Sequence, residues 1–264
     1  MEPTIITISA IKGGSGKSTL AWALGTYLAQ YGRTLLWDND AQGTLSNALA
    51  SEFMAGAFEV LTASCTAREA IVPVLPQYGA SLSIVGASSR LAELESATAA
   101  LLDRQYLVAD ALAGLDGFDF IVIDTPAGQG IATTTALVAA SMVISPVPCQ
   151  PAALETLPLM EQLLTTVRRR LNPGLRWFVS PALFDQRQVL DREVLAAIRQ
   201  QCGRSLIEPI VRRRVALAED MANQRPCSST DYENLTINLI ERINSHDQEV
   251  HPPSRAKGGY ASRR

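Results

Sequence analysis

Short apolar runs alternate along the chain with longer segments in which apolar residues recur every three or four positions. The runs predict buried strands at 4–8, 34–37, 82–85, 118–123, 142–144 and 177–179, with a weaker candidate at 206–207. The periodic segments predict helices at 18–29, 98–113, 152–171, 189–202 and 231–244. Because strands that alternate with helices are typical of βαβ units, the pattern predicts an α/β fold. We expect a mostly parallel, twisted sheet with helices on both faces.

The length of 264 residues and the 47% hydrophobic content fit a single α/β domain. We expect this domain to span residues 1–247. Residues 248–264 differ, because two prolines at 252–253 and two glycines at 258–259 block a helix and the segment is basic. They predict a flexible basic C-terminal tail. The sequence shows no run of 18 apolar residues and no basic-then-apolar leader, so we expect a cytoplasmic protein.

A glycine-rich segment follows the first predicted strand and opens the first predicted helix. Residues 11–19 read IKGGSGKST. Such a turn directs successive backbone N–H groups and the positive end of a helix toward one anion. In this pattern Lys17 reaches the β- and γ-phosphates of a nucleotide and the Ser18 hydroxyl binds Mg²⁺. The chain has only three lysines, and two of them, Lys12 and Lys17, lie within this segment.

Three carboxylates lie where predicted strands end. Asp38 and Asp40 close the second strand, and Asp124 follows the apolar run of the strand at 118–123. The carboxyl ends of parallel strands form the ligand crevice of an open α/β sheet. Phosphoryl transfer depends on positioning and charge neutralisation, so these groups are candidates for holding Mg²⁺ and orienting water.

Residues 12–18 resemble the deviant Walker A box of the ParA/MinD superfamily, whose extra lysine marks ATPases that dimerise around nucleotide. Residues 38–43, DNDAQG, are similar to the second box of ParA-type partition ATPases, DxDPQG, with alanine in place of proline. Residues 124–128, DTPAG, are similar to the third box and are closer to the DSPAG of the MinD branch. Residues 211–219, VRRRVALAE, resemble IPRNVRLSE of the same family. The resemblance covers about residues 3–245 and implies the P-loop NTPase fold.

The resemblance also implies roles for individual residues. Lys12 crosses the dimer interface to the partner's ATP, Lys17 binds the terminal phosphates, and Asp40 positions the attacking water, so these three are the catalytic candidates. Mg²⁺ is assigned to Ser18, to Asp124 through water and to Asp38 through water. The loop from Thr125 to Gly130 is the second switch. The implied nucleotide-binding residues are Lys12, Gly13, Gly14, Ser15, Gly16, Lys17, Ser18 and Thr19.

Charge is distributed unevenly along the chain. Residues 1–150 contain 6 basic and 13 acidic side chains, whereas residues 168–225 contain 12 arginines and 6 acids. Concentrated basic charge is consistent either with a nucleic-acid surface or with a solvated face that uses arginine for ordinary ion pairs. Dimerisation on ATP would bring the arginines of two chains together. The DNA-binding candidates are Arg187, Arg192, Arg212, Arg213 and Arg214.

These features together predict a partition or positioning ATPase with ATP and Mg²⁺ as cofactors. It would form an ATP-sandwich homodimer, bind DNA non-specifically on the nucleoid, and hydrolyse ATP when stimulated by a ParB-like or cargo-adaptor protein. One alternative is a MinD-like membrane-cycling ATPase. It requires a C-terminal amphipathic helix, and the tail has a single aromatic residue, Tyr260, so we expect no stable membrane association.

A second alternative is an ATP-dependent metabolic enzyme, either a ligase or an iron-protein reductase. The reductase needs cluster-ligating cysteines, but the four cysteines are scattered and form no CxxC pair. They are expected to be small buried side chains.

Overall fold

A computed structural model describes residues 2–50 and 52–250 of the chain. The strands are β1 Thr4–Ile8, β2 Thr34–Asp38, β3 Ile71–Pro73, β4 Leu82–Val85, β5 Phe120–Asp124, β6 Met142–Pro148 and β7 Arg176–Ala182. They form one seven-stranded sheet in the order β3-β4-β2-β5-β1-β6-β7. Every neighbouring pair is parallel except β3 with β4, which is antiparallel. The prediction of an α/β fold with a mostly parallel sheet is confirmed.

Helices connect the strands and cover the sheet. They are α1 Lys17–Leu28, α2 Thr44–Leu49, α3 Ala57–Leu61, α4 Ala67–Ala70, α5 Leu94–Ala97, α6 Leu107–Leu112, α7 Ile131–Ala139, α8 Pro151–Leu154, α9 Thr156–Arg170, α10 Val189–Cys202, α11 Val215–Ala222 and α12 Thr230–Val250. Short 3₁₀ turns lie between several of them. The helices predicted at 18–29, 189–202 and 231–244 correspond to α1, α10 and α12.

Two predicted helices are wrong in their extent. The segment 98–113 is helical only at α6, preceded by a 3₁₀ turn at Arg104–Tyr106. The segment 152–171 is divided into α8 and α9 at Glu155. Pro158 explains the division, because its ring would clash with the carbonyl four residues earlier, on Leu154, whereas proline is tolerated in the first turn of a helix.

The sheet is buried on both faces because strand side chains alternate in direction. Leu35 and Trp37 pack with Ile121 in one apolar cluster, whereas Leu36 and Val122 pack in another with residues of α1 and α12. Helix α1 lies close to the sheet at Gly25, where an added Cβ would come within 2.7 Å of the Leu36 side chain. This close packing fixes the position of the second half of α1 against β2.

Several elements differ from the sequence predictions. Strand β3 was missed because it is only three residues long and ends in Pro73, as suits an edge strand. The candidate strand at 206–207 forms only an isolated bridge between Leu206 and Val179. Helix α12 continues to Val250, past the predicted domain boundary at 247, and the remainder of the predicted tail, residues 251–264, lies outside the described residues.

The four cysteines are free thiols and only half of them match the expectation of burial. Cys149 and Cys227 are buried, whereas Cys65 and Cys202 are half-buried. Burial raises the pKa of the Cys149 thiol to about 12 and that of the Cys227 thiol to about 11. Within residues 2–50 and 52–250, no helix is long and apolar enough to cross a membrane.

Candidate functional site

The glycine-rich loop forms an open cradle between β1 and α1. Gly14 and Gly16 have φ values of +71° and +92°, a backbone conformation that residues other than glycine rarely adopt. An added Cβ at Gly13, Gly14 or Gly16 would meet no atom within 4 Å, so the space beside the loop is free. Gly16 caps α1 without a side-chain hydrogen bond, which leaves the first amide groups of the helix available to an anion.

Lys17 and Ser15 lie inside the cradle rather than on the surface. Lys17 is only 7% exposed and Ser15 only 3% exposed. The Ser15 hydroxyl is buried without a hydrogen-bond partner. A buried ammonium and a buried unpaired hydroxyl are costly unless a polar ligand satisfies them. Phosphate oxygens fit both groups, so the residues present match a bound nucleotide.

Asp124 lies below the loop at the carboxyl end of β5. It is fully buried, and neither carboxylate oxygen has a hydrogen-bond partner. Burial raises the pKa of Asp124 well above its usual value, and the nearby Asp38 carboxylate raises it further. The Ser18 hydroxyl, close but outside hydrogen-bond geometry, and the Lys17 ammonium act in the opposite direction. A divalent cation would supply the missing positive charge, so Asp124 and Ser18 fit a Mg²⁺ site.

Asp38 is engaged within the protein. One of its oxygens, Oδ2, accepts hydrogen bonds from the Ser46 backbone N–H at 2.8 Å and the Ser46 hydroxyl at 2.7 Å. Its Oδ1 accepts from the Asp40 N–H at 3.2 Å. Burial raises the pKa of Asp38 to about 6 although these hydrogen bonds act to lower it. The side chain therefore anchors the first turn of α2, and its role toward Mg²⁺ stays a prediction.

Asp40 is half-buried in the loop between β2 and α2. Its Oδ1 accepts a hydrogen bond from the Gln42 N–H at 3.0 Å. Its charge is near enough to raise the pKa of both Asp38 and Asp124. The three carboxylates thus lie together at the carboxyl ends of β2 and β5, as the sequence predicts. In the described part of the chain, no three Asp, Glu, His or Cys side chains are placed to share a metal ion.

The sequence predictions missed Ser46 and Asn39. Ser46 bridges two elements, because its hydroxyl also accepts from the Ala87 N–H at 2.8 Å. Asn39 is fully buried and binds the backbone of α7. A polar residue directly between Asp38 and Asp40 was the only sequence signal for Asn39, whereas no spacing rule would have identified Ser46.

The predicted second switch, residues 125–130, connects β5 to α7 beside the cradle. The Thr125 hydroxyl donates to the Ile8 carbonyl at 2.8 Å, and the Gly128 N–H donates to the Ala10 carbonyl at 3.4 Å. Both acceptors belong to the segment that leads into the glycine-rich loop. The 125–130 segment is therefore hydrogen-bonded to the residues immediately before the cradle, and its role as a switch stays a prediction.

Lys12 is exposed on the outer side of the cradle. Its ammonium donates to the Ala152 carbonyl in α8 at 3.3 Å. Lys12 and Lys17 consequently occupy different environments although they lie five positions apart: Lys17 is buried in the cradle and Lys12 is held outside it.

The five candidate DNA-binding arginines lie on two segments that follow β7. A parallel bridge between Phe184 and Arg212 joins these segments. Most of their guanidinium groups are already engaged. Arg187 pairs with Asp185 at 2.8 Å, Arg212 pairs with Asp231 at 2.6 Å, Arg214 lies 3.7 Å from Asp231, and Arg192 donates to the Gln186 carbonyl.

Arg213 differs from the other four. It is exposed, and among the described residues its side chain has no ion-pair or hydrogen-bond partner. Asp231 is buried, and its pKa is lowered by the hydrogen bonds and charge of Arg212 although burial acts against this. Asp231 therefore neutralises part of the positive charge that the sequence places in this segment.

Comparison with known proteins identifies the family to which the chain belongs. Residues 3–177 match the AAA domain model AAA_31. The chain is 32% identical over 257 residues to the chromosome-partitioning ATPase Soj of Treponema pallidum, an alignment that covers 92% of this chain and 98% of that protein.

Solved structures share the same fold over nearly the whole chain. Cobyrinic acid a,c-diamide synthase of Mycobacterium smegmatis with bound ADP and magnesium is 26% identical, with a TM-score of 0.81 and coverage of 92% of this chain and 96% of that one. A putative plasmid partition protein of Borrelia burgdorferi bound to AMPPNP is 24% identical, with a TM-score of 0.78 and coverage of 92% and 99%. The family model, the Soj relative and the cradle together show that the chain belongs to the ParA/MinD-type P-loop ATPases, enzymes that hydrolyse ATP with Mg²⁺.

Proposed function

We propose that this chain is a ParA-like positioning ATPase that forms an ATP-sandwich homodimer and binds DNA without sequence preference. Its cargo would be a plasmid, a chromosomal locus or a protein-bounded organelle, and a ParB-like or cargo-adaptor protein would stimulate hydrolysis. The observation that carries the proposal is a complete phosphate cradle accompanied by a second lysine, Lys12, that is held outside it. The proposed location is the cytoplasm, on the nucleoid.

The cradle supplies positioning and charge for phosphoryl transfer. The loop amides and Lys17 would hold the phosphates, and Ser18, together with Asp124 through water, would hold Mg²⁺, which would neutralise the charge that develops on the terminal phosphate. Asp40 lies beside this pair of groups and its carboxylate is half-exposed, so it can orient a water molecule toward the phosphate.

Lys12 supports a homodimeric active state. Its anchor is one neutral carbonyl at 3.3 Å on an exposed surface, which holds a lysine only weakly. A second copy that presents its own phosphates would offer a much stronger partner, because hydrogen bonds between charged groups are stronger than neutral ones. In such a dimer each Lys12 would act in trans on the other chain's ATP, as an arginine finger does.

The arginine-bearing segments support a weak DNA surface. Arg213 has no side-chain partner within residues 2–50 and 52–250, and the Arg187 side chain is 85% exposed despite its bond to Asp185. Contacts from arginine to phosphate carry no sequence information. A single surface with so few free charges would bind weakly, and two such surfaces on one rigid dimer would bind much more tightly through effective concentration.

The test is a charge reversal, Arg213→Glu, with Arg170→Glu as its matched control. Arg170 is also exposed but ends α9 before the amino end of β7, whereas Arg213 lies beside Phe184, past the carboxyl end of that strand. With ATP and Mg²⁺ present, Arg213→Glu should weaken binding to random-sequence DNA and reduce the slope of log affinity against log salt by about 1 to 2 in the dimer. Arg170→Glu should bind as the wild type does. Equal losses in both variants, or none in Arg213→Glu, would contradict this surface.

A second candidate function is an ATP-dependent synthase, favoured by the 26% identity to cobyrinic acid a,c-diamide synthase. The two functions differ in how ATP turnover responds to DNA. A partition ATPase should bind DNA only with ATP, and its turnover should rise with DNA and partner present. Turnover that ignores DNA, together with a monomeric ATP-bound state by light scattering, would favour the synthase.

A further inference from the structure

We propose that Asn39 is a positioning residue that couples the two loops of the ATPase site. One loop is the β2–α2 segment, residues 38–43, which carries Asp40. The other is the β5–α7 segment, residues 125–130. This inference rests on the ATP-binding site proposed above and adds to it a residue that touches neither nucleotide nor metal.

Asn39 contacts both ends of the second loop. Its backbone N–H donates to the Asp124 carbonyl at 2.9 Å, immediately before that loop begins. Its side-chain Nδ2 donates to the Ala132 carbonyl at 2.7 Å, in the first turn of α7, immediately after the loop ends. The residue that precedes Asp40 thus holds the start and the end of the 125–130 segment.

The orientation of the Asn39 amide is fixed by its partners. Its Oδ1 accepts from the Trp37 indole N–H at 3.3 Å, and an indole can only donate. The Ala132 carbonyl can only accept, so the amide cannot rotate by 180° without losing both bonds. Asn39 and Trp37 are fully buried, which makes each lost bond costly. The contact is therefore a rigid link between the two loops.

The link has a mechanical consequence. Asp38 fixes one side of the first loop to α2 through Ser46, and Asn39 fixes the other side to α7. If bound phosphate and metal move Asp124, the first loop should move with it, because the buried Asn39 would otherwise lose its hydrogen bonds to Asp124 and Ala132. Coupled closure would bring Asp40 into position only when the 125–130 segment is ordered around the nucleotide.

The matched variants are Asn39→Ala and Thr135→Val. Thr135 is fully buried and its hydroxyl also donates to the Ala132 carbonyl, at 3.0 Å, but this hydrogen bond lies entirely within α7. Thr135→Val removes a bond to the same carbonyl and preserves the side-chain shape, so it reports any effect of merely loosening α7. Asn39→Asp is a second variant that keeps the oxygen toward Trp37 and replaces the amide donor with another acceptor.

The experiment measures hydrogen exchange of peptides covering 38–49 and 124–139 in the full chain, with and without a non-hydrolysable ATP analogue and Mg²⁺. In the wild type the analogue should protect both peptides together. In Asn39→Ala the amides of 125–130 should exchange at least about fivefold faster with the analogue bound. The kcat for ATP should fall by about tenfold or more while the Kd for the analogue changes by less than about threefold. Asn39→Asp should behave like Asn39→Ala, and Thr135→Val like the wild type.

Each outcome separates the hypotheses. If the analogue protects neither peptide in the wild type, the nucleotide site itself is wrong. If it protects both peptides equally in the wild type and in Asn39→Ala, Asn39 does not couple the loops. If Thr135→Val reproduces the losses, the effect belongs to the stability of α7, and the coupling proposal is overturned.

Discussion

Replacing Asp124 with asparagine should stabilise the protein in the absence of nucleotide while it weakens Mg²⁺-dependent ATP binding and turnover. The wild-type carboxylate is fully buried, has no hydrogen-bond partner and lies near the Asp38 charge. Asn has nearly the same shape and no charge. The substitution therefore removes an electrostatic cost without leaving a cavity.

The magnitude follows from the neighbouring carboxylate. Asp38 is equally buried and accepts three hydrogen bonds, yet its pKa is raised from 3.8 to about 6, which corresponds to about 3 kcal/mol at neutral pH. Asp124 has no such bonds, so its charge costs at least as much. An unpaired amide in its place costs about 1–3 kcal/mol. Subtracting the amide cost from about 3 kcal/mol leaves an expected net gain of about 0–2 kcal/mol, or about 0–8 °C in Tm.

The pH dependence of the stability difference is a second, independent test of the prediction. A carboxyl whose pKa is raised by folding destabilises the native state above its folded pKa and has no effect below its unfolded value near 3.8. Wild-type stability should therefore increase relative to that of Asp124→Asn as the pH is lowered from 8 toward 4. The advantage of the variant should shrink over the same range.

Calorimetric unfolding with EDTA, and with ATP and Mg²⁺, tests these statements. Bound nucleotide should raise the Tm of the wild type by mass action and raise that of Asp124→Asn much less. An Asp124→Asn protein that melts below the wild type without nucleotide, with a difference independent of pH, would refute the account of a buried unpaired carboxylate.

Other consequences concern the cradle and its surroundings. Lys17→Ala should abolish ATP binding, because it removes the only buried cation among the described cradle residues; unchanged affinity in a fluorescent-nucleotide titration would exclude the phosphate assignment. Asp40→Ala should bind ATP and accumulate as a dimer, whereas Lys12→Ala should lose both dimer and turnover; light scattering that finds Asp40→Ala monomeric would count against the switch model. Ser46→Ala should destabilise the fold by about 1–3 kcal/mol, because it removes a hydroxyl bond to Asp38 and leaves the Ala87 amide, two residues after β4, without its acceptor. Urea unfolding checks this, and a value near zero would contradict it.

The sequence by itself determined the sheet and the phosphate cradle. The apolar runs of β1, β2 and β5 specify buried parallel strands, because each is short, continuous and bounded by polar residues. The cradle is encoded by contiguous residues, 12–19, whose glycines permit the backbone conformation and whose lysine and hydroxyls are the proposed phosphate and metal contacts. Local sequence is enough in both cases, since backbone conformation and side-chain chemistry are set over a few consecutive positions.

Only the tertiary structure decided which polar groups meet. Asp231 neutralises Arg212 across 19 positions but does not pair with the neighbouring Arg213, so a count of arginines in the sequence overestimated the available charge. Lys12 meets Ala152 across 140 positions, and Asn39 meets Ala132 across 93. These partners are brought together by strand order and helix packing, which place distant residues side by side. The periodicity of the sequence specifies which face of an element is buried, but the pairing of buried polar groups depends on how those elements pack.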